Sequence, residues 1–568
     1  MKIFILFVPF ALICFALSPA AHAVVPAPDG GYPGGNTAEG QNALFNLTTG
    51  GFNTALGMLS LRSINTANFN TAVGAAALLA NTADENTAIG TGALLSNTIG
   101  TFNTAVGGFV LLSNTEGSFN TAVGDRALFT NSTGNLNVAV GFQALFSNTT
   151  GFSNTAAGDQ ALFSNSTGNE NTAIGDSALL GNISGNNNTA VGSGALLNNA
   201  ADDNTALGSA ALTANTTGTG NTGTGAGALS LNSTGGSNTA NGASALQNNT
   251  EGTSNTATGF SALLSNTTGN GNSANGTFAL QNSTTGAANT ASGTAALRFN
   301  TTGSFNSAAG FNALNSNTTG NQNTASGNNA LQNNTTGIQD TANGDDALQN
   351  NTTGNENTAL GFKAGLNATT GAGNVYIGSQ MIGAAGESNH TYIRNIKDTT
   401  VSGGGTDTVT VNLTTGLLGH LSSSRRYKEN IKSMREASEA LYRLKPVTYR
   451  FKKEIDPDQS LEYGLVAEDV AKVDPNLAIR NAKGDIESVR YNAVNAMLLN
   501  EFLKEHKKVQ ELEAAVAKQE AIVAKQQKNF QATAADQQEQ IEGLTEGLRK
   551  VSAQLELNKL APQTVKNN

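Results

Sequence analysis

The chain of 568 residues has no tryptophan, one cysteine and nine prolines, and only 13% of it is charged. Each shortage excludes something. Its 24 Phe and 8 Tyr are thinly spread, which limits the apolar area that a compact core could bury and points to a thin, repeated structure. The lone Cys14 lies within an apolar N-terminal run behind bulky Ile13, a poor setting for lipid anchoring. With no cysteine after it, disulfides and thiolate metal sites are excluded. From Val24 to Gly386 the basic residues are Arg62, Arg126, Arg298 and Lys363, against about four times as many acids, so there is no basic stripe for nucleic acid. No segment after the N-terminal run approaches the ~20 apolar residues of a transmembrane helix, so the mature chain is expected to have no membrane span.

The N-terminal run itself has the form of an export signal. Lys2 precedes apolar Ile3 to Leu17, and Ala21-His22-Ala23 gives the small-x-small pattern of a signal peptidase site. The expected mature chain begins at Val24 and is secreted or held at the cell surface.

What fills the next 350 or so residues is a repeat, Asn-Thr-Ala-Val-Gly-x-x-Ala-Leu-x-x-Asn-Thr-Thr-Gly-x-x, with a period of 17 and two units of 16. Its first Asn recurs from Asn36 and Asn53 through Asn357 to Asn374, with Asp340 standing once in its place. Gly follows that Asn by four throughout (Gly74, Gly141, Gly276), as expected where the backbone needs a positive φ or a close approach between neighbours. Leu follows by eight from Leu44 to Leu348 and is the one large apolar anchor of each unit. Asn-Thr-Ala-Val alternates as a short strand does, and Asn-Thr-Thr-Gly is turn chemistry. Gly, Asn and Thr recur too often for a helix to propagate. The expected fold class is therefore an all-β solenoid, one turn per unit, stacked at ~4.8 Å. The residue before the Gly drifts from Val73, Ile89 and Leu207 to Thr224 and Asn343, then back to Leu360, as a position facing water or a partner chain would. The Asn-Thr-Thr triplets read as stacked turns rather than glycan acceptors, and the scattered acids Asp125, Asp176 and Glu356 form no paired-carboxylate pattern.

Composition changes at about residue 385. Thr408 to Leu413 reads as a strand; Ser433 with Glu436 reads as a capping box for a helix to about Leu444, with Ala437, Leu441 and Leu444 on one face. Val447, Tyr449 and Phe451 alternate as a strand, Tyr463 to Ala467 forms another, and Asn481 to Asp485 is a hairpin loop. From about Asn492 a long helix places Phe502, Val509, Val516, Val523, Phe530, Leu544 and Val551 on one heptad position, the pattern of a coiled coil. The expected architecture is the solenoid, then a small α+β domain, then the coiled coil.

Two resemblances follow. The repeats, over roughly residues 36 to 380, resemble the head repeats of trimeric autotransporter adhesins, which form a β-roll of three chains; those proteins end in a membrane barrel, and this chain ends in a polar helix. The second concerns Ser423-Ser424-x-Arg426-x-Lys428-x-Asn430-Ile431, then Leu444-x-Pro446-x-x-Tyr449, Gly464-Leu465-Val466-Ala467-Glu468-Asp469-Val470, Pro475 and Val489-x-Tyr491. In that order they resemble the self-releasing intramolecular chaperone of the endosialidase tailspike family, with Ser424 where that family usually has Asp. The resemblance implies that Ser423 is a nucleophile, that Lys428 is its base and that the bond between Ser422 and Ser423 is cut once. The same motifs mark Arg426, Asn430 and Glu468 as supporting residues. A Lys acting as base must be neutral, and Arg425 and Arg426 beside it supply a field of the required sign.

The expected divisions are a signal peptide at 1–23, a linker at 24–35, the solenoid at 36–385, a connector at 386–421, the self-cleaving chaperone at 422–495, the coiled coil at 496–560 and a disordered tail at 561–568. No cofactor or metal is expected. The expected partner is the chain itself as a homotrimer, drawn mainly from the family, with a cell-surface glycan or protein as ligand. Near-identical repeats pair in many nearly equivalent registers, and a C-terminal clamp removes that ambiguity. The alternatives are a phage-derived, tail-fibre-like glycan-binding protein and an adhesin whose chaperone never cuts.

Overall fold

The computed structural model describes residues 32–396, 399, 408–413, 415, 417–420 and 422–558. The expected signal peptide, its Cys14, most of the linker and the expected tail lie outside them. The chain divides into two compact units at Thr399/Thr400.

The first unit is a parallel β-solenoid, as the period implies. Its sheet has 22 strands of three residues each, from Thr37–Glu39 to Thr391–Ile393. Successive strands pair in parallel and in register, Thr121 beside Val138 and Thr239 beside Thr256. The two 16-residue units keep that register, Thr71 with Thr87 and Thr189 with Thr205. Their missing residue comes out of the corner at Ala83-Asp84-Glu85 and Ala201-Asp202-Asp203, where a loop absorbs a deletion that a strand could not.

The repeated Gly is required on both expected grounds. At Gly242 φ is +140°, and a Cβ there would lie 2.5 Å from the carbonyl oxygen of Gly259 in the next rung. The Leu anchors are fully buried in nearly every rung, together with the Ala two residues after the repeat Asn and the Ala just before the Leu. Each buried Leu contributes roughly 1.5–3 kcal/mol. The backbone at the anchor is left-handed, with φ +50° at Leu78 and +52° at Leu246, a conformation that a bulky residue adopts only when its surroundings dictate it.

Two asparagine columns complete the interior. In the first, Asn120 is typical: its backbone N–H donates to Asn103 Oδ1 at 3.0 Å and its Nδ2 donates to the Gly134 carbonyl at 2.9 Å. In the second, Nδ2 of Asn114 donates to Asn97 Oδ1 at 2.7 Å and to the Gly117 carbonyl at 2.8 Å. These side chains are buried and close a hydrogen-bond circuit from rung to rung. The Asn of the Asn-Thr-Thr triplets is thus an interior residue with its amide engaged. Towards the C-terminal end Gly365 replaces the Leu anchor, and the ring of Tyr376, fully buried, fills the space beside it. The hydroxyls of Tyr376 and Tyr392 both donate to the carboxylate of Glu387, at 2.8 and 2.7 Å.

The second unit is built of short elements. Hairpins join Val409–Val411 to Leu418–His420, Val447–Tyr449 to Glu462–Gly464, and Ala478–Arg480 to Ile486–Val489. The loop Asn481 to Asp485 closes the last of these, and the strand expected from Tyr463 is confined to Glu462–Gly464. The helix expected from Ser433 is a 3-10 helix, Arg435–Arg443, whose N-cap is Met434 without a side-chain cap. The capping box of Ser433 and Glu436 therefore does not form. An α-helix follows at Ala467–Val473, and the terminal helix runs for 67 residues, Tyr491–Leu557. Its apolar heptad positions, Val509, Val516 and Val523 among them, are about half exposed.

Candidate functional site

The framework of the second unit is a small core of Ala440, Val470, Leu477, Val489, Val494 and Met497. It packs the 3-10 helix, the short α-helix and the last hairpin against the first turns of the terminal helix. Tyr491, which opens that helix, accepts a hydrogen bond at its hydroxyl from the backbone N–H of Leu465 at 3.1 Å. A Cβ on Gly464 would come within 3.0 Å of the same oxygen. Two distant motif pieces, Gly464-Leu465 and Val489-x-Tyr491, are thus one packed joint.

A second joint is polar. Glu501 on the terminal helix accepts from Ser438 Oγ at 2.5 Å, from the Tyr442 hydroxyl at 2.8 Å and from Lys504 Nζ at 2.7 Å. Asn500 Nδ2 donates to Ser438 Oγ at 2.6 Å. The Lys504 ammonium and the two hydroxyls hold the Glu501 carboxyl down at about 2. The cluster locks the 3-10 helix to the terminal helix. Reading the sequence did not single it out; its signal is the pair Asn500-Glu501 interrupting the apolar spacing of Val494 and Met497.

The expected catalytic residues stand on a short exposed segment before this framework. Ser423 precedes a 3-10 turn, Arg425–Tyr427, and Lys428 caps its C-terminal end, its N–H donating to the Arg425 carbonyl at 3.1 Å. Ser422 Oγ accepts from the backbone N–H of Ser424 at 3.3 Å, so the bond expected to be cut lies inside a local turn. Arg426 lies over the ring of Tyr427 at 4.7 Å. Asn430 has a left-handed backbone, φ +54°, and Glu468 lies in the first turn of Ala467–Val473, both exposed. Among the described residues no hydrogen bond or ion pair links Ser423, Lys428, Arg426, Asn430 and Glu468 to one another, so a single chain presents these residues without assembling them.

In chain order, a parallel β-solenoid is followed by a small unit that carries an exposed Ser/Lys turn and a long helix with an exposed apolar stripe. Residues 423–479 match the family model described as chaperone of endosialidase, and the match begins at Ser423. That family is a self-cleaving, serine-peptidase type of chaperone domain. No curated protein and no solved structure matches the chain.

Proposed function

We propose that the chain is an exported, homotrimeric surface fibre or adhesin whose C-terminal domain is an intramolecular chaperone, released by one autoproteolytic cut between Ser422 and Ser423. The observation that carries this reading is the family match starting at Ser423, behind a solenoid whose rungs are nearly interchangeable. Three such chains have many near-degenerate registers, and a terminal helix bundle that fixes one of them supplies what the rungs lack.

The step follows ordinary acyl transfer. Ser423 Oγ attacks the carbonyl carbon of Ser422 while Lys428 takes its proton; the C–N bond breaks as the Ser423 nitrogen gains a proton, leaving an ester. Water then hydrolyses the ester and frees the fragment beginning at Ser423. Lys428 must be neutral to act, yet it is exposed in the single chain. Burial by neighbouring chains would favour the neutral amine and would tie cleavage to completed assembly. The test is expression of the wild type beside Ser423→Ala and Lys428→Ala, followed by SDS gels and mass spectrometry. A fragment running from Ser423 is expected from the wild type alone, and an assembled wild type that stays whole would defeat the peptidase reading. The tail-fibre-like alternative rests on the same match and is separated from the first by whether residues 1–23 are removed during export.

A further inference from the structure

Two outward columns of the solenoid change character together. The residue three after the repeat Asn is aliphatic and substantially exposed through the early rungs, 42% at Val140 and 44% at Ile174. The residue nine after it is Leu or Phe over the same rungs and half-buried, and the rings of Phe129, Phe146 and Phe163 stack at 5.0 and 5.1 Å along the fibre axis. Val140 shares its rung with Phe146, and Val191 with Leu197. In the later rungs both columns are mostly polar, as at Asn241 with Gln247 and at Asn343 with Gln349; the exceptions are Leu264 beside Thr258 and Ala309 beside Asn315, and at the boundary Leu207 stands with Thr213. At the next rung both turn apolar again, Leu360 with Leu366.

The residue just before the repeat Asn is interrupted at Glu85 and turns polar or small from Ser153, well before the third column does at Thr224, with Phe305 as a later exception; the residue five after it alternates without a trend, from Asp125 through Phe142 to Asp159 and later to Phe311. The ninth residue packs on the sixth of the rung before, as Arg298 does on Phe278 at 4.8 Å. Over rungs 3 to 10 both columns are apolar, and over most rungs from Asn221 to Asp340 both are polar, the agreement expected of two faces that meet between chains.

We propose that the third-position column of one copy packs against the ninth-position column of the next copy, rung to rung and in register, so that the chains close head to tail into a ring. This deepens the assembly reading above and rests on it. Two different patches meeting is a heterologous contact, which closes into a ring when the rotation from copy to copy closes. Rungs 3 to 10 offer sixteen such side chains, from Val73 and Leu79 to Val191 and Leu197, as two unbroken apolar columns. Among the described residues no charged side chain stands in either column over those rungs.

The test uses the full chain with Cys14→Ser. Val140→Cys and Phe146→Cys are made on separate chains and co-expressed, with Val191→Cys and Leu197→Cys as a second pair, and cross-linking is read on non-reducing gels after mild oxidation. The mixture should give at least about tenfold more disulfide dimer than either single variant alone, because only opposed columns bring two Cβ atoms within disulfide reach. Cross-linking of Val140→Cys chains with themselves would overturn the proposal in favour of a two-fold contact. Sedimentation separates the remaining failures: an oligomer without mixed cross-links overturns the pairing while assembly stands, and a monomer overturns both.

Discussion

The two units of the chain secure their structure by opposite means. In the solenoid nearly every rung carries its own buried anchor, its own backbone ladder and its own pair of buried amides, so one chain satisfies nearly all of its interior polar groups. In the terminal unit the core is a handful of side chains, and of the 67-residue helix only Val494, Met497 and Glu501 are buried. Within one chain the solenoid's interior is largely complete, whereas most of the terminal helix, its apolar heptad positions included, is exposed.

The strongest way to break that comparison is to place one methyl group in each unit. Gly242→Ala puts a Cβ 2.5 Å from the Gly259 carbonyl at a φ of +140°, and neither backbone can move without shifting the rungs behind it. The expected loss is about 4 kcal/mol or more, at the diagnostic end of single substitutions. Gly543→Ala, in the helix with nothing within 4 Å, should gain up to about 1 kcal/mol of helix propensity instead. Thermal unfolding followed by circular dichroism at strand and helix wavelengths reads both, and a mild effect at Gly242 would mean that the rungs are not in van der Waals register.

The next effect tests whether a solenoid rung is as self-sufficient as its neighbours make it. Asp340 stands in the first asparagine column, fully buried. Its Oδ1 accepts from the N–H and the Nδ2 of Asn357, at 2.9 and 3.1 Å. Its Oδ2 stands where other rungs have an amide donor. The two hydrogens of Asn351 Nδ2 are left facing three acceptors: Asp340 Oδ2 at 3.0 Å, the Gly354 carbonyl at 3.0 Å and Asn334 Oδ1 at 3.1 Å. A proton on Asp340 supplies the missing donor. Burial, aided by nearby Glu356 and opposed by the hydrogen bonds from Asn357 and Asn351, raises the carboxyl to about 7. Below the ordinary carboxylate value folded and unfolded chains both hold the proton, and stability is at its fullest. As pH rises towards 7 only the unfolded chain releases it, so stability falls by about 1.4 kcal/mol per pH unit, on the order of 4 kcal/mol in all, and then levels off. Asp340→Asn should remove that slope. Hydrogen exchange at the rungs from Asn323 to Asn374 between pH 4 and 8 measures it, and identical profiles for both chains would show that the rung carries no proton.

Much of the solenoid was legible because its constraints are periodic. An invariant Gly and an invariant Leu at fixed offsets forced the rung, and the short Thr-Ala-Val strands fell where the alternation placed them. The second asparagine column was not read as interior, because a polar residue before Thr-Thr-Gly is also what a turn requires; only the backbone circuit shows where its amide goes. The left-handed φ at the Leu anchors runs against intrinsic preference and is set by stacking, which no single unit encodes. At the other end, the motif order singled out Ser423 and Lys428, which flank the short turn Arg425–Tyr427 and are both exposed, so no burial or partner within the chain could have marked them. The helix at Arg435–Arg443 was placed correctly but its capping box was not, since Ser433 lies outside its first turn and its end is held through Tyr442 by Glu501, 59 residues away in the chain.

The smallest effect sharpens the claim that each rung can be repaired by itself. At Ser283 the second asparagine column is interrupted, and Asn266 Oδ1 and Ser283 Oγ are buried without hydrogen-bond partners within the chain. An asparagine there reaches both neighbours, as Asn266 reaches Asn249 Oδ1 at 2.7 Å and the Gly269 carbonyl at 3.0 Å. Ser283→Asn should therefore stabilise the solenoid by about 1 kcal/mol, the net worth of a hydrogen bond that relieves a buried, unpaired acceptor. The gain should be confined to slower hydrogen exchange in the rungs on either side, with the terminal helix unchanged. A gain spread evenly along the fibre would mean instead that the rungs unfold as one cooperative body, and the local completeness that separates the two units would lose its energetic meaning.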